Sequence, residues 1–412
     1  MGTEVWILGG TGRSGRAIAA ELVSRGITPV LVGRDASRLT EAARQVAASR
    51  QVEAARPAPG ETRTLVSGSV EELTTQIRAQ QPAVVINTIG PFITTAPPII
   101  QACLAAGSDY LDLANDVAAV AALLALNEAA TAAGRTIVTG AGFGVTATES
   151  VVVKLTQDRP TQDQPTQDRP TQDQPTPQQP TPARVRVDMV PSLASEAGPV
   201  GAALAGTILE GLPGVDGGGR FQGRRYANGR LAPARIGGEV SHLVLPDGSR
   251  ITTAAMPLGE LIAAQRASGA PDVVSASSEA PSAPVIRAIM PLALALLQLA
   301  PVRAFATNRL ARVQLKAHDR PREHSYGHAV IQWPDGTTRE GWLQLGDAQA
   351  FTGAVPAEIA RRLLAGQGRP GAHTPAALFG SSLAEACGAS YLIPADAPAP
   401  ARPSDATHTE RL

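Results

Sequence analysis

The sequence predicts an α/β chain in two parts, a doubly wound parallel sheet at the N-terminus and an α+β second domain with a mainly antiparallel sheet. Three observations carry this. Short, continuously apolar segments alternate with helix-patterned ones through residues 1–155, the pattern of a parallel sheet covered on both faces. A glycine-rich turn, Gly9-Gly10-Thr11-Gly12-Arg13-Ser14-Gly15, separates the first strand from the first helix. Beyond residue 183 the strands alternate apolar and polar residues and are punctuated by Asn-Gly and Asp-Gly pairs, the signals of hairpins.

In chain order, Val5–Leu8 reads as the first strand and Ser14–Arg25 as the first helix. Thr28–Val32, Thr64–Ser67, Ala83–Thr88, Tyr110–Leu113 and Thr136–Thr139 are further strands, apolar and too short for helices. Helical patterns fill the gaps at Ser37–Ser49, Glu71–Gln80, Pro97–Ala106 and Val117–Ala133. Residues 156–182 break the pattern. They repeat TQDRP and TQDQP with a proline at every fifth position, which blocks helix and central strand. This low-complexity segment reads as a disordered or polyproline-like linker, an expansion in a tolerant surface loop. Docking to a proline-recognising partner is the functional alternative.

In the second domain, 183–370, Val185–Val190 alternates as a half-buried strand, and Asn228-Gly229, Asp247-Gly248 and Asp335-Gly336 mark three hairpins. Helices are expected at about 199–210, 258–268, 285–312 and 348–365. Residues 371–395 read as a C-terminal segment whose helix, 375–387, packs back on the first domain, and 396–412 as a disordered tail.

Composition removes several function classes. With 36 basic and 36 acidic side chains the chain has no formal net charge, which argues against nucleic acid and anionic membranes as main partners. Aromatics make up 3%, too few for base-stacking platforms. Two cysteines, Cys103 and Cys387, exclude a disulfide framework and a multi-cysteine metal site. The N-terminus carries no charged segment followed by an apolar one, so a cytoplasmic location is expected. No uncharged apolar run reaches the ~18 residues of a transmembrane segment. The apolar stretch 284–301 is expected to be buried in the core or in a homodimer interface; contact with a lipid substrate or membrane surface is the alternative.

The glycine turn carries the chemistry. Gly10, Gly12 and Gly15 fit G-x-G-x-x-G, with the required strand before and helix after. One glycine allows the tight turn, one lets the backbone approach a pyrophosphate, and one lets helix and strand pack. The helix N-terminus then offers free N–H groups to the anion. This is a Rossmann-type dinucleotide site. The second strand runs into Gly33 and Arg34, where NAD-binding folds place an acid for the ribose hydroxyls. A guanidinium there holds a 2′-phosphate, so NADP(H) is favoured, with Arg13 in reach of the same phosphate and the adjacent Asp35 keeping NAD open. Asn87, Thr88, Gly90 and Pro91, at the end of the fourth strand, are expected beside the nicotinamide ribose. The expected cofactor contacts are therefore Gly9, Gly10, Thr11, Gly12, Arg13, Ser14, Gly15, Arg34, Asn87, Thr88, Gly90 and Pro91.

The segments GGTGRSG, VLVGRD, VVINTIGPF, Ala106–Leu113, Gly140–Thr148 and Gly371–Gly380 resemble the saccharopine dehydrogenase-like NADP-binding family. That family includes saccharopine reductases and trans-acting enoyl reductases. The resemblance covers about residues 4–153 well. It implies hydride transfer between NADP(H) and a small-molecule substrate, with a carbonyl, imine or enoyl group as acceptor and an acyl or lipid-like molecule among the candidates. Many relatives carry Gly-Phe-Asp where this chain has Gly142-Phe143-Gly144, so an acidic group is expected to be missing near the substrate.

The proton donor is the open question. Lys154 and Lys316 are the only lysines, and none of Tyr110, Tyr226, Tyr326 and Tyr391 has a lysine four residues on. The Tyr-x-x-x-Lys pair of short-chain dehydrogenases is therefore absent. Tyr110, Asp112 and Glu149, expected to open the helix after the sixth strand, are the acid–base candidates; a cap or a solvated carboxylate is the alternative for each acid. His318, His324 and His328 read as a solvated polar loop, and no metal is expected. Two rival functions stay open: amino-acid or polyamine C–N reduction, and a non-catalytic NADP-binding sensor or scaffold.

Overall fold

The computed structural model describes residues 3–53, 62–157, 180–194, 198–200, 205, 223–281, 283–297, 299–315 and 319–394. The tail expected at 396–412, most of the repeat at 156–182, and most of the helix expected at 199–210 lie outside the described residues.

Among the described residues, the apolar N-terminal strands form one parallel sheet. β1 (Val5–Leu8), β2 (Pro29–Gly33), β3 (Arg63–Val66), β4 (Val84–Asn87), β5 (Asp109–Asp112) and β6 (Thr136–Val138) lie in the order β3-β2-β1-β4-β5-β6. The connecting helices are α1 (Arg13–Ser24), α2 (Ala36–Glu53), α3 (Val70–Gln80), α4 (Phe92–Ala106), α5 (Val117–Leu124) and α6 (Asn127–Ala132). β1 is buried on both faces: Val5 and Ile7 face one core cluster, Trp6 and Leu8 the other. The order reverses between β1 and β4, which opens a crevice at the C-terminal ends of these strands.

Two helices differ from expectation. α4 begins at Phe92 rather than Pro97, with both prolines inside it. The hydroxyls of Thr94 and Thr95 bond the Pro91 carbonyl at 3.1 and 3.0 Å, holding the turn that precedes the prolines. The helix expected over 117–133 is split between α5 and α6 at Ala125 and Leu126.

The second sheet grows from α7 (Phe143–Gln157) onward. Its strands are β7 (Arg184–Val190), β9 (Gly223–Ala227), β10 (Arg230–Ala234), β11 (Ser241–Val244), β12 (Arg250–Ala255), β13 (Asp272–Ser277), β15 (Ser325–Gln332), β16 (Thr338–Leu345) and β18 (Ser390–Leu392). β8 (Gly198–Pro199) and β14 (Gln314–Leu315) pair apart from it. The three hairpins form at the expected Asn-Gly and Asp-Gly turns. β7 and β13 run parallel, and the other pairs are antiparallel. Helices α8 (Gly259–Ser268), α9 (Pro284–Leu297), α10 (Ala300–Ala311), α11 (Ala348–Leu364), α12 (Pro375–Phe379) and α13 (Ser382–Ala386) are the remaining helices among the described residues.

The chain comes back to the first sheet in the helix before residue 370. Chain return to the first sheet begins at α11, which packs across α1: a Cβ on Gly353 would stand 3.0 Å from Ala17 Cβ. Phe351 meets Phe143 edge-on at 6.4 Å. β17 (Gly371–His373) then extends the parallel sheet beside β6. The single helix expected at 375–387 is two short ones, interrupted at Gly380, whose φ is +71°. β18 leaves again to pair with β16. One core cluster therefore runs from Val5 and Ile7 through Phe351 and Val355 to Val185 and Val187.

Much of the apolar stretch 284–301 is not buried in the core of the chain. Among the described residues it is shared between α9 and α10, and Val285, Ile289, Leu292, Leu296 and Leu299 are between 49 and 70% exposed, forming a stripe on one face of α9 and the following turn. No helix among the described residues is long and apolar enough to cross a membrane.

Gly353 is where the crossing of α1 and α11 is tightest. Replacing it by Leu should force the helices apart and cost about 1–3 kcal/mol, read as a lower urea midpoint with an unchanged slope.

Candidate active site

The glycine turn is built as its spacing requires. Gly9 has φ +79°, and a Cβ there would stand 2.6 Å from Thr88 Oγ1. A Cβ on Gly15 would stand 2.5 Å from the Gly9 carbonyl, so helix α1 can approach the turn only without a side chain. Gly12 is exposed, extended and stands at the N-cap of α1; no side chain caps that helix, and no acid occupies its first turn. The open N–H groups and the positive helix end fit a pyrophosphate. Arg13 and Arg34 are exposed at this end, Thr11 and Ser14 partly so. Ser14 Oγ accepts a bond of 3.3 Å from Gln349 of α11.

Asp35 is engaged by the start of the following helix. Its Oδ1 accepts from Ser37 Oγ at 2.6 Å and from the Arg38 N–H at 3.0 Å, capping α2. Arg34 is exposed at the end of β2.

Thr88, Gly90 and Pro91 line the turn after β4 and are partly exposed; Thr88 Oγ1 donates to the Leu8 carbonyl at 2.7 Å, joining the ends of β1 and β4. Asn87 differs from expectation. It is fully buried, its amide donates to Tyr110 Oη at 3.0 Å and accepts from the Ile89 N–H at 2.9 Å, so it shapes the turn from within.

Tyr110 and Asp112 are buried neighbours. Tyr110 Oη donates to Asp112 Oδ2 at 2.9 Å. Asp112 Oδ1 accepts from the Ala114 N–H at 3.0 Å, Thr139 Oγ1 at 3.0 Å and the Gly140 N–H at 3.3 Å. Burial pushes the Asp112 carboxyl up to about 6 despite these donors, and pushes the Tyr110 phenol up as well. Both groups therefore hold loops together.

Glu149 is a correction. It lies within α7 rather than at its opening, is fully buried, and caps α12: Thr374 Oγ1 and the N–H groups of Ala376 (2.9 Å) and Ala377 (3.2 Å) donate to it. Burial outweighs these donors and raises its carboxyl to about 7.

His328 is likewise no loop residue. It is buried in β15, between Asp188 Oδ2 (3.0 Å) and Glu340 Oε1 (2.9 Å), and stacks on Trp342 at 4.0 Å. Burial works against its charge, but the two acids win and hold its pKa above the usual histidine range. His318 lies outside the described residues, and no metal-binding group occurs among those described.

The acid expected to be missing near Gly144 is present from another element. Glu260, in the first turn of α8, points its carboxyl at Gly144, where a Cβ would stand 2.0 Å from Oε1. With the Asn115 amide nitrogen facing it, Asn115 donates to both Glu260 oxygens at 3.2 and 3.3 Å. Burial raises this carboxyl to about 7. No local sequence pattern marks Glu260; only the fold joins it to Asn115 and Gly144.

Residues 5–138 match the family model for the saccharopine dehydrogenase NADP binding domain. The likeness to this family is thus confined to the N-terminal domain. A trans-acting enoyl reductase of Mycobacterium tuberculosis is 28% identical over 116 residues, which are 28% of this chain and 26% of that protein. A probable mitochondrial saccharopine dehydrogenase-like oxidoreductase of Arabidopsis thaliana is 26% identical over 121 residues, 27% of this chain and 25% of that protein. The match thus spans about a quarter of each relative's length. Apo saccharopine dehydrogenase (L-Glu forming) of Saccharomyces cerevisiae superposes with a TM-score of 0.53 at 11% identity, covering 96% of this chain and 100% of that one. That likeness is one of fold.

Glu149 gives a pH signature. Its carboxyl is raised from 4.5 to about 7 on folding, so the stability tied to its neutral form is full below 4.5 and lost as pH rises through about 7. Urea denaturation should show Glu149→Gln gaining on the parent protein across that window and levelling off above it.

Proposed function

We propose that the protein is an NADPH-dependent oxidoreductase that transfers hydride to a small molecule bearing a carbonyl, imine or conjugated C=C group. The observation that carries the reading is the uncapped, glycine-lined N-terminus of α1 beside Arg34, with Asp35 engaged in its own helix. Gly9, Gly10, Thr11, Gly12, Ser14 and Gly15 would hold the pyrophosphate, Arg34 and Arg13 the 2′-phosphate, and Thr88, Gly90 and Pro91 the nicotinamide ribose. Bound NADPH supplies the hydride; the protein supplies orientation and a dry site.

An acyl substrate and a homodimer are the finer parts of the proposal. The enoyl reductase among the relatives supports the first. The exposed stripe on α9 supports an apolar contact with a second copy, and light scattering should give twice the 42.4 kDa chain mass; a monomer would remove this part alone. A cytoplasmic setting agrees with the free thiols of Cys103 and Cys387.

Titration by nicotinamide fluorescence tests the cofactor. Losing the charge-assisted bonds of Arg34 costs about 1.5–3 kcal/mol, so Arg34→Ala should weaken NADPH roughly tenfold to a hundredfold and leave NADH within about twofold. Equal loss for both nucleotides would remove the 2′-phosphate assignment.

A further inference from the structure

We propose that Glu260 is the proton donor of the reduction and that Asn115 holds its carboxyl in place. The proposal rests on the NADPH-reductase reading and adds a named acid to it. Position is the first argument. The carboxyl lies beyond the C-terminal ends of β5 and β6, between Asn115 on the loop after β5 and Gly144 in the first turn after β6. This is the half of a doubly wound sheet that receives the second mononucleotide, here the nicotinamide half.

The placement is also built. Gly144 leaves the space that Oε1 occupies. A Cβ on Gly259 would stand 3.0 Å from Cγ2 of both Val120 and Val145, so α8 reaches the β5 loop only because that residue is glycine. The Gly259 N–H donates to the Asn115 carbonyl at 2.9 Å, and Asp116 forms a backbone bridge with Leu258. Two glycines distant in sequence and a backbone clamp fix one side chain.

Its surroundings set burial, which disfavours its charge, against a donor for the ion. Glu260 is 2% exposed; the Asn115 amide faces it, and the Met189 thioether lies against the same space above Gly144. The acids on the adjoining β5 loop are committed elsewhere: Asp112 to four donors, Asp116 to the Ala119 N–H at 2.7 Å, capping α5. Burial raises the Glu260 carboxyl to about 7, while its own N–H and Asn115 favour the ion. Such a group is protonated before the step and tolerates charge after it.

In the step, the substrate's electrophilic carbon takes the hydride from C4 of NADPH. The π pair moves to the oxygen, nitrogen or α-carbon at the other end of the bond. That atom takes the Glu260 proton as the carboxyl O–H breaks. NADP+ and a carboxylate remain, and water returns the proton.

The test needs no known substrate. Affinities for NADP+ and NADPH are measured by calorimetry from about pH 5.5 to 8.5 and expressed as a ratio, which cancels the 2′-phosphate ionisation common to both. A carboxylate near the cationic ring favours NADP+, so the ratio should rise about tenfold through pH ~7. Glu260→Gln should flatten the rise. Asn115→Ala should move its midpoint to higher pH, because the ion loses its donor. With enoyl thioesters and aldehydes as probes, Glu260→Gln should lower kcat about a hundredfold with NADPH affinity kept within about twofold. A flat ratio in the parent protein, or an unchanged profile in Glu260→Gln, overturns the proposal and leaves the NADPH reading standing. Binding of neither nucleotide overturns both.

Discussion

The carboxylate of Asp112 is the joint on which the C-terminal ends of β4, β5 and β6 depend. Through Tyr110 it reaches Asn87 at the end of β4; through Thr139 and Gly140 it holds the turn after β6; through the Ala114 N–H it starts the loop that carries Asn115. Three adjacent strand ends are thus set by one buried group. A charge so deep is costly unless fully hydrogen-bonded, and its four donors satisfy that demand. The loop positions of Asn115 and Gly144, and so the site of Glu260, follow from this arrangement.

Much of the molecule was legible in the sequence because the signals are local. The glycine turn needs only seven consecutive residues, and the clashes that a Cβ would meet at Gly9 and Gly15 explain the spacing. Period and turn chemistry gave the parallel strands and all three hairpins. What escaped depends on partners far along the chain. Glu149 looks like an ordinary helix acid until Thr374 and the N–H groups of α12 arrive to meet it. β17 is three residues long, too short for any periodicity. Glu260 acquires meaning only beside Gly144. His328 sits in a stretch rich in charge, yet its neighbours across the sheet, Asp188 and Glu340, enclose it.

The two sheets do not act as separate bodies in packing terms. α11 lies across α1 while its other contacts include the Phe143 end of α7, whose buried face meets the second sheet. Gln349 and Thr352, one turn apart, touch Ser14 in the glycine turn and the Phe143 N–H. A single helix therefore contacts both the glycine turn after β1 and the start of α7 after β6.

The route of the C-terminal segment has a consequence for synthesis. The first sheet acquires β17, and Glu149 its cap, from residues 371–377. When the N-terminal domain leaves the ribosome, that carboxyl has none of these donors and the edge of β6 is bare. Nascent chain folding thus cannot finish domain by domain from the N-terminus; the first part made is among the last to be completed.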